Sequence, residues 1–286
     1  MAVINLWYRF LEMLPFGWTH YTFMNNALLA VLLVTPLFAL LGTMVVSNRM
    51  VFFTDVLGHS ALTGIAIGVL LGFQDPTPAM IGIAVLLALV VNLLKNTTKA
   101  SMDTVLGVIF AFMVALGIVI LSRQGGFAKY TKYLIGDILA VTPRQIAWVF
   151  LVAALVLAYW YAAGNAMILT GVNPSLARTR RVNTFFIETS FTVLLALVVI
   201  VSIQLVGILI LNSLVVLPAA ASRNLARNTS AYTAWAVVIS FVSGVTGLIL
   251  SYYWGTASGA TIVLCAAACY AVSACLGRRR RCGCSN

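Results

Sequence analysis

The sequence predicts an all-α integral membrane protein, a polytopic transmembrane helix bundle of eight or nine spans, with about nine favoured. Two observations predict this fold class. First, 62% of the residues are hydrophobic and only 8% are charged, whereas roughly 25% of the residues of a soluble domain are charged. Second, apolar runs recur along almost the whole chain, and each is long enough to cross the hydrocarbon core of a bilayer. The runs leave no room for a separate soluble domain.

Polar connections separate the predicted spans. The connections SNRM, QDPTP, KNTTKAS and NPSLARTRRVN contain charged, small or proline residues, and proline interrupts a helix because it cannot donate the helical hydrogen bond. The predicted spans are 25–46, 52–73, 79–94, 104–121, 146–161, a sixth that ends near residue 202, 207–221, 232–253 and a ninth that ends at residue 276. Together they form a transmembrane domain over residues 25–276. The polar segment 123–144 fits a plain outer loop poorly, and we expect it to be partly re-entrant.

Two short segments flank the predicted membrane domain. Residues 1–24 lack the basic leader and cleavage site of a secretory signal. They place aromatic and aliphatic side chains beside Arg9 and Glu12, which is typical of an amphipathic helix that lies at the membrane interface. Residues 277–286, GRRRRCGCSN, form a basic tail rich in arginine and cysteine. The five cysteines of the chain lack the paired CxxC spacing of a zinc site, and we expect no permanently bound cofactor.

The net charge of +11 indicates an orientation. With nine spans and an outer first end, the residues that fall on the inner side include Arg49, Lys95, Arg223 and the run Arg278–Arg281, and they outnumber the basic residues outside. The positive-inside rule therefore predicts a cytoplasmic carboxyl terminus. Because the charges are spread over short connections, they suit an anionic lipid surface and not a nucleic-acid groove.

The second predicted span, FFTDVLGHSALTGIAIGVLLGF, carries Asp55 and His59. A charge in hydrocarbon costs about 3 kcal/mol, so ionisable residues are rare there and usually serve a function. Residues four apart share one helix face, so a carboxylate oxygen and an imidazole nitrogen can hold one divalent ion. This donor set suits zinc, manganese or iron better than copper(I) or magnesium. The alternative is an internal ion pair that only fixes a helix contact.

Two ligands do not complete a permanent metal site. The other histidine is His20, and the remaining acids lie near span ends or in connections: Glu12, Asp75, Asp103, Asp137 and Glu188. A structural site has three or four protein ligands, whereas an ion in transit must be held weakly enough to leave. The sparse set therefore favours a transported ion.

Small residues recur every four positions in the same span. Ser60, Gly64, Gly68 and Gly72 form a stripe on which another helix can pack backbone to backbone. The stripe predicts that this span lies inside the bundle, where its ionisable pair faces protein and not lipid.

Catalytic motifs are absent from the sequence. It contains no HExxH pair, no GxSxG turn and no GxxxxGK[ST] phosphate loop, so we do not expect an enzyme. If ATP drives the protein, a partner subunit must hydrolyse it.

Four segments carry a resemblance to a known family. In chain order they are FMNNALLAVLLVTPLFALLGTMVVSNRMVFFTDVLGHSALTGIAIGVLLG, MDTVLGVIFAFMVALGIVIL, YLIGDILAVTP and VGILILNSLVVLPAAASRNLA. They resemble the membrane permeases of bacterial ABC importers for zinc, manganese and iron, over most of residues 22–250. The resemblance implies a dimer of identical or related permeases in the bacterial cytoplasmic (inner) membrane. It also implies an extracytoplasmic metal-binding protein, a cytoplasmic ABC ATPase dimer, and a role for Asp55 and His59 in handling the metal.

The segment after LPAAA is similar to the part of this family that contacts the ATPase. We expect Pro218 to end or kink the seventh span, and Ser222 to cap a new turn after three helix-favouring alanines. Arg223 and Arg227 would then point the same way, toward the ATPase or lipid phosphates. The predicted coupling residues are Ser222, Arg223, Asn224, Leu225 and Arg227.

Two other functions fit the same pattern of spans and ionisable residues. A proton-coupled secondary metal transporter would use Asp55 and His59 as a proton relay, but such transporters usually show an internal repeat, and none is visible. A non-transporting membrane scaffold would use the pair only for structure.

Overall fold

The computed structural model describes residues 7, 21–97, 100–123, 136, 138–172 and 174–282. In this part of the chain the fold consists of ten α-helices and a 3-10 turn at Ile138–Ala140, with no β-strand. The helices are α1 (Thr22–Ser47), α2 (Val51–Leu70), α3 (Thr77–Thr97), α4 (Met102–Arg123), α5 (Pro143–Val172), α6 (Pro174–Thr179), α7 (Thr184–Val206), α8 (Ile208–Leu225), α9 (Thr229–Trp254) and α10 (Ser258–Cys282).

The predicted fold class, an all-α membrane bundle, is confirmed. Within the described ranges, eight helices are long and apolar enough to cross a membrane, namely α1 to α5, α7, α9 and α10. They correspond to eight of the predicted spans. The remaining predicted span, 207–221, corresponds to α8, a helix of 18 residues that packs against α1, α2, α9 and α10.

The helices differ from the predicted spans mainly at their ends, where they continue past the apolar stretch that crosses the membrane. Helix α5 has 30 residues and continues well past residue 161, because the sequence AAGNAMILTGV that follows contains no proline to stop it. Helix α6 forms within the hydrophilic connection, and α10 continues into the basic tail as far as Cys282. The predicted interfacial segment 1–24 lies outside the described residues except for Trp7 and residues 21–24.

Contacts between helix ends show which ends lie together. The turn between α1 and α2 meets the carboxyl end of α5, where Gly171 approaches the Asn48 side chain, and a small cavity there is lined by Ser47 and Tyr232. We call this the basic end, because it also contains exposed Arg49 and Arg223, two residues predicted to face the cytoplasm. The amino ends of α3 and α5 and the carboxyl end of α7 meet at the opposite end.

Helix α2 is the most deeply buried span. Buried residues make up 72% of its most apolar stretch, compared with 22% for α4 and for α10. A Cβ atom at Gly64 would lie 2.5 Å from the Met80 Cα atom of α3, and one at Gly68 would lie 3.1 Å from the Ala79 Cβ atom. These distances leave no room for larger residues, so the backbones of α2 and α3 are in close contact.

The other two members of the small-residue stripe differ from each other. Ser60 is fully buried, and its hydroxyl donates a hydrogen bond to the Leu57 carbonyl over 2.8 Å. Gly72 has open space around it and a φ angle of +76°. The prediction that Gly72 packs against another helix is therefore wrong: the residue adopts the left-handed conformation that follows the end of a helix.

Helices α3 and α7 are joined by polar contacts at both ends. The contacts are the ion pair between Lys95 and Glu188 at 2.7 Å, the hydrogen bond from Asn92 to Thr189, and the hydrogen bond from Gln204 to Thr77 at 2.7 Å. The first two lie toward the basic end, and the third lies at the opposite end. Thr77 also donates to Asp75, and Gln204 accepts from Gln145 of α5 over 3.3 Å. This network therefore fixes three helix ends to one another.

A single glycine connects α7 to α8. Gly207 has a φ angle of 85°, which favours glycine because other residues are strained there. A Cβ atom at Gly136 would lie 2.2 Å from the Gly207 nitrogen. The chain after α4 therefore returns to touch the joint between α7 and α8.

The close contact between α2 and α3 predicts a stability defect. Replacing Gly64 with alanine forces the two backbones apart, and overpacking of this kind typically costs about 1–3 kcal/mol. We expect a lower midpoint of thermal unfolding for the detergent-solubilised protein. Gly82→Ala is the matched control, because Gly82 lies on the exposed side of α3 with no atom within 4 Å of its added Cβ. Equal midpoints for both variants would contradict the close packing.

Candidate metal site

Asp55 and His59 lie one turn apart on the same face of α2, separated by about 6 Å along the helix axis. Both side chains are half-buried. The helix is regular through this stretch, and residues on either side of the pair, such as Val56 and Gly58, are buried. The structure therefore brings the predicted pair together on one face of an interior helix.

The neighbouring faces of α2 contact two other helices. On one side Gly58 lies against Ile208 of α8. On the other side the Thr63 hydroxyl donates to the Met113 carbonyl of α4. From the helical periodicity, Asp55 lies between these two sides. The pair therefore borders the space between α4 and α8.

Aromatic rings pack beside the histidine. The His59 ring contacts the Phe110 ring edge to face, with centroids 5.0 Å apart and an interplanar angle of 82°. Phe110 also packs against Phe52, with centroids 5.8 Å apart. These contacts restrict the rotation of the imidazole and cover one of its sides.

Asp55 and His59 belong to no larger group of metal-binding side chains in the described part of the chain. Among the described residues, no group of three or more His, Cys, Asp or Glu side chains is placed to hold a metal ion. Asp75 and Asp103 are exposed at helix ends, and Glu188 pairs with Lys95. His20, Glu12 and Asp137 lie outside the described residues.

No short ion pair joins Asp55 to His59. In the described part of the chain, the one salt bridge within 4.0 Å is that between Lys95 and Glu188. Among the described residues, neither Asp55 nor His59 forms such a contact with the other or with a basic residue.

Sequence reasoning missed a polar contact next to the pair. The Thr54 hydroxyl, which is fully buried, contacts the side-chain amide of Asn212 on α8. The signal that could have found it is an asparagine inside the apolar run GILILNSLVVL. A buried polar residue in such a run requires a partner.

The predicted coupling segment needs two corrections. Helix α8 passes through Pro218 and continues to Leu225. Ser222 is therefore not a cap: it is fully buried inside the helix, and its hydroxyl donates to the Ala219 carbonyl over 2.8 Å. Arg227 lies after the end of the helix, so it does not share a helix face with Arg223.

The other residues of the predicted coupling segment lie at the basic end. Arg223 and Arg227 are exposed, and Leu225 is half-buried. Asn224 donates to the Ser273 hydroxyl of α10 over 3.2 Å, which holds the end of α8 in place. The segment therefore presents two separate positive charges on a helix end that is attached to the bundle.

Residues 20–277 match the ABC 3 transport family. The chain belongs to this family. Membership confirms the resemblance carried by the four sequence segments, and it argues against a secondary transporter or a scaffold.

Proteins named for zinc uptake and manganese transport are similar over most of the chain. The chain is 33% identical over 248 residues to the high-affinity zinc uptake system membrane protein ZnuB of Haemophilus influenzae, which covers 86% of this chain and 95% of the relative. It is 27% identical over 251 residues to the manganese transport system membrane protein MntC of Listeria monocytogenes, with coverage of 87% and 89%. The fold is similar to that of PsaBC from Streptococcus pneumoniae, solved in complex with Fab, with a TM-score of 0.79, 25% identity, and coverage of 90% and 92%.

The packing of His59 predicts its chemical reactivity. Because Phe110 covers the imidazole, Phe110→Ala should increase the rate of His59 modification by diethyl pyrocarbonate severalfold. The chain has two histidines, so a His20→Gln background leaves His59 as the only target, and mass spectrometry measures its modification. Phe112→Ala on the same helix is the matched control, since Phe112 is 61% exposed. Equal rates in both variants would show that Phe110 does not shield the ring.

Proposed function

We propose that this protein is the transmembrane permease subunit of an ATP-driven ABC importer of divalent transition metal ions, with zinc, manganese or iron as the cargo. The observation that carries the proposal is the half-buried Asp55 and His59 pair on the interior helix of an ABC 3 family fold. Similarity to membrane proteins of a zinc uptake system and a manganese transport system supports the same class of cargo.

The donor set accounts for the class of ion. A carboxylate oxygen and an imidazole nitrogen bind zinc, manganese and iron(II), whereas copper(I) prefers sulfur and magnesium prefers oxygen. With few protein ligands, the ion retains some of its water and can leave the site again. The Phe110 ring beside His59 limits the positions from which the imidazole can reach the ion.

The energy source and the partners are those of an ABC importer, which membership of the ABC 3 transport family supports. A cytoplasmic ABC ATPase dimer hydrolyses ATP. An extracytoplasmic metal-binding protein delivers the ion. A second permease, identical or related, completes the pathway.

The basic end is the proposed cytoplasmic face, in a bacterial cytoplasmic (inner) membrane. Exposed Arg49, Arg180, Arg181, Arg223 and Arg227 lie in connections or helix ends on this side, as the positive-inside rule requires. Helix α10 ends on the same side, so the carboxyl terminus is cytoplasmic. Arg223, Asn224, Leu225 and Arg227 then face the ATPase, with Ser222 buried behind them.

Uptake by variants of the pair tests the proposal. Asp55→Asn keeps the size of the side chain and removes its charge, and His59→Ala removes the nitrogen ligand. We expect each variant to abolish uptake of radioactive zinc, manganese or iron by cells that also express the partner ATPase and the metal-binding protein. Asp103→Asn is the matched control, because Asp103 is exposed in the first turn of α4.

Amounts of membrane-inserted protein are measured in parallel. Loss of the protein from the membrane in both variants would instead assign the pair a structural role. Normal uptake by both variants would refute the metal role.

A charge reversal tests the coupling segment. In the double variant Arg223→Glu with Arg227→Glu, two negative charges replace the two positive charges that face the ATPase surface. We expect the ATPase to be lost from the affinity-purified complex, while the permease still captures the metal-binding protein. The comparison variant is Arg180→Glu with Arg181→Glu, whose arginines are exposed in the connection before α7. Loss of the ATPase only in the comparison variant would move the coupling element to that connection.

A further inference from the structure

Asn212 is a polar residue in an otherwise apolar part of α8. It is half-buried and lies one turn after Ile208. Ile208 packs against Gly58 of α2, and Asn212 contacts Thr54, one turn earlier on α2. The two helices are therefore antiparallel here, and Asn212 lies at the level of the turn that carries Asp55.

The Thr54 hydroxyl can form a hydrogen bond with the Asn212 side-chain amide in either of two orientations of the amide. A threonine hydroxyl has one proton to donate and two lone pairs to accept with. The Thr54 oxygen lies 2.7 Å from the Val51 carbonyl as well as next to the Asn212 amide. If the hydroxyl donates to the Asn212 oxygen, the amide nitrogen faces away. If it donates to the Val51 carbonyl, it accepts a proton from the Asn212 nitrogen, and the amide oxygen is free.

Rotation of the Asn212 amide therefore preserves its hydrogen bond to Thr54. The oxygen and nitrogen of an asparagine side chain are assigned from the surrounding hydrogen bonds, and both assignments are satisfied at this site. A cation beside Asp55 selects the orientation that presents the oxygen, because an amide oxygen is a metal ligand and an amide N–H is not.

The position of Asn212 fits this role. Thr54 and Asp55 are consecutive in α2, so their side chains project about 100° apart and Asp55 lies beside the side of α2 that Asn212 contacts. Asp55 and Asn212 are both half-buried, and from the helical periodicity each borders the contact between α2 and α8. Half-exposed Ser213 and Val216 continue the open side of α8 beyond it. Both side chains thus border the same space.

We propose that Asn212 supplies its amide oxygen as a third protein ligand to the transported ion, beside Asp55 and His59, with Thr54 as the residue that orients it. This inference rests on the proposed function. A neutral oxygen adds a ligand without adding charge, so it increases selectivity while the ion can still leave. Two oxygens and one nitrogen also favour manganese and iron(II) more than the Asp–His pair alone does.

The experiment compares the uptake kinetics of manganese and zinc in four variants. Asn212→Leu keeps the approximate size of the side chain and removes the ligand, and we expect an increase in KM for manganese of about tenfold or more. The increase for zinc should be smaller, since zinc depends less on oxygen ligands. Asn212→Asp should lower both KM and Vmax, because the added charge holds the ion more tightly.

Two variants at Thr54 test the orientation. Thr54→Val has the same shape but no hydrogen bond, and it should raise the KM for manganese by about tenfold. Thr54→Ser should behave as the wild type. Ser213→Ala is the control for a polar residue on the same open side of α8.

The outcomes separate the inference from the proposed function. If Asn212→Leu has wild-type KM values and metal preference while Asp55→Asn abolishes uptake, the inference is overturned and the importer remains. If the wild type transports no metal, the proposed function fails. If Asn212→Leu does not accumulate in the membrane, Asn212→Asp and Thr54→Val decide the question: unchanged KM values in both overturn the inference.

Discussion

Three neighbouring helices approach α2 closely, and this packing decides where the other elements of the bundle can lie. Gly64 admits the backbone of α3, Gly58 admits Ile208 of α8, and Gly117 of α4 admits Thr63. At each of these points a small residue replaces a side chain that would hold the helices apart. The result is an interior helix, and an interior helix can carry a carboxylate and an imidazole without exposing them to lipid. The close packing of α2 is therefore what allows Asp55 and His59 to lie in the membrane domain.

Helix α8 links the two regions to which the proposed function assigns roles. Asn212 near its beginning contacts the turn of α2 that carries Asp55, and Arg223 near its end is exposed at the basic end. The two residues are about 17 Å apart along the helix axis. Helix α8 is continuous through Pro218 and its end is held by Asn224, so one helix, and not a loop, connects the proposed coupling segment to the proposed metal site.

Most of the fold was predictable from the sequence because the apolar stretches of a membrane protein mark the segments that lie in the hydrocarbon of the bilayer. The polar turns located the helix ends, and the stripe at Ser60, Gly64 and Gly68 indicated an interior position for α2. The extension of α5 and the helix at Pro174–Thr179 were missed, because both lie where helix formation no longer depends on hydrocarbon. The Asp55 and His59 pair was found because two ionisable residues in one apolar run are rare. Asn212 was not found, since its importance depends on contact with Thr54, which is 158 positions away in the sequence.

The polar contacts between α3 and α7 have a mechanical consequence. Thr77 and Lys95 hold α3 to α7 at points about 27 Å apart along α3. Two helices in contact at one point can change their crossing angle, whereas two helices joined near both ends cannot do so without breaking one of the contacts. Helices α3 and α7 are therefore expected to translate or tilt together as a single frame. Any rearrangement that exposes the ion first to one face of the membrane and then to the other must take place at the edges of this frame, where α4 and α8 meet it.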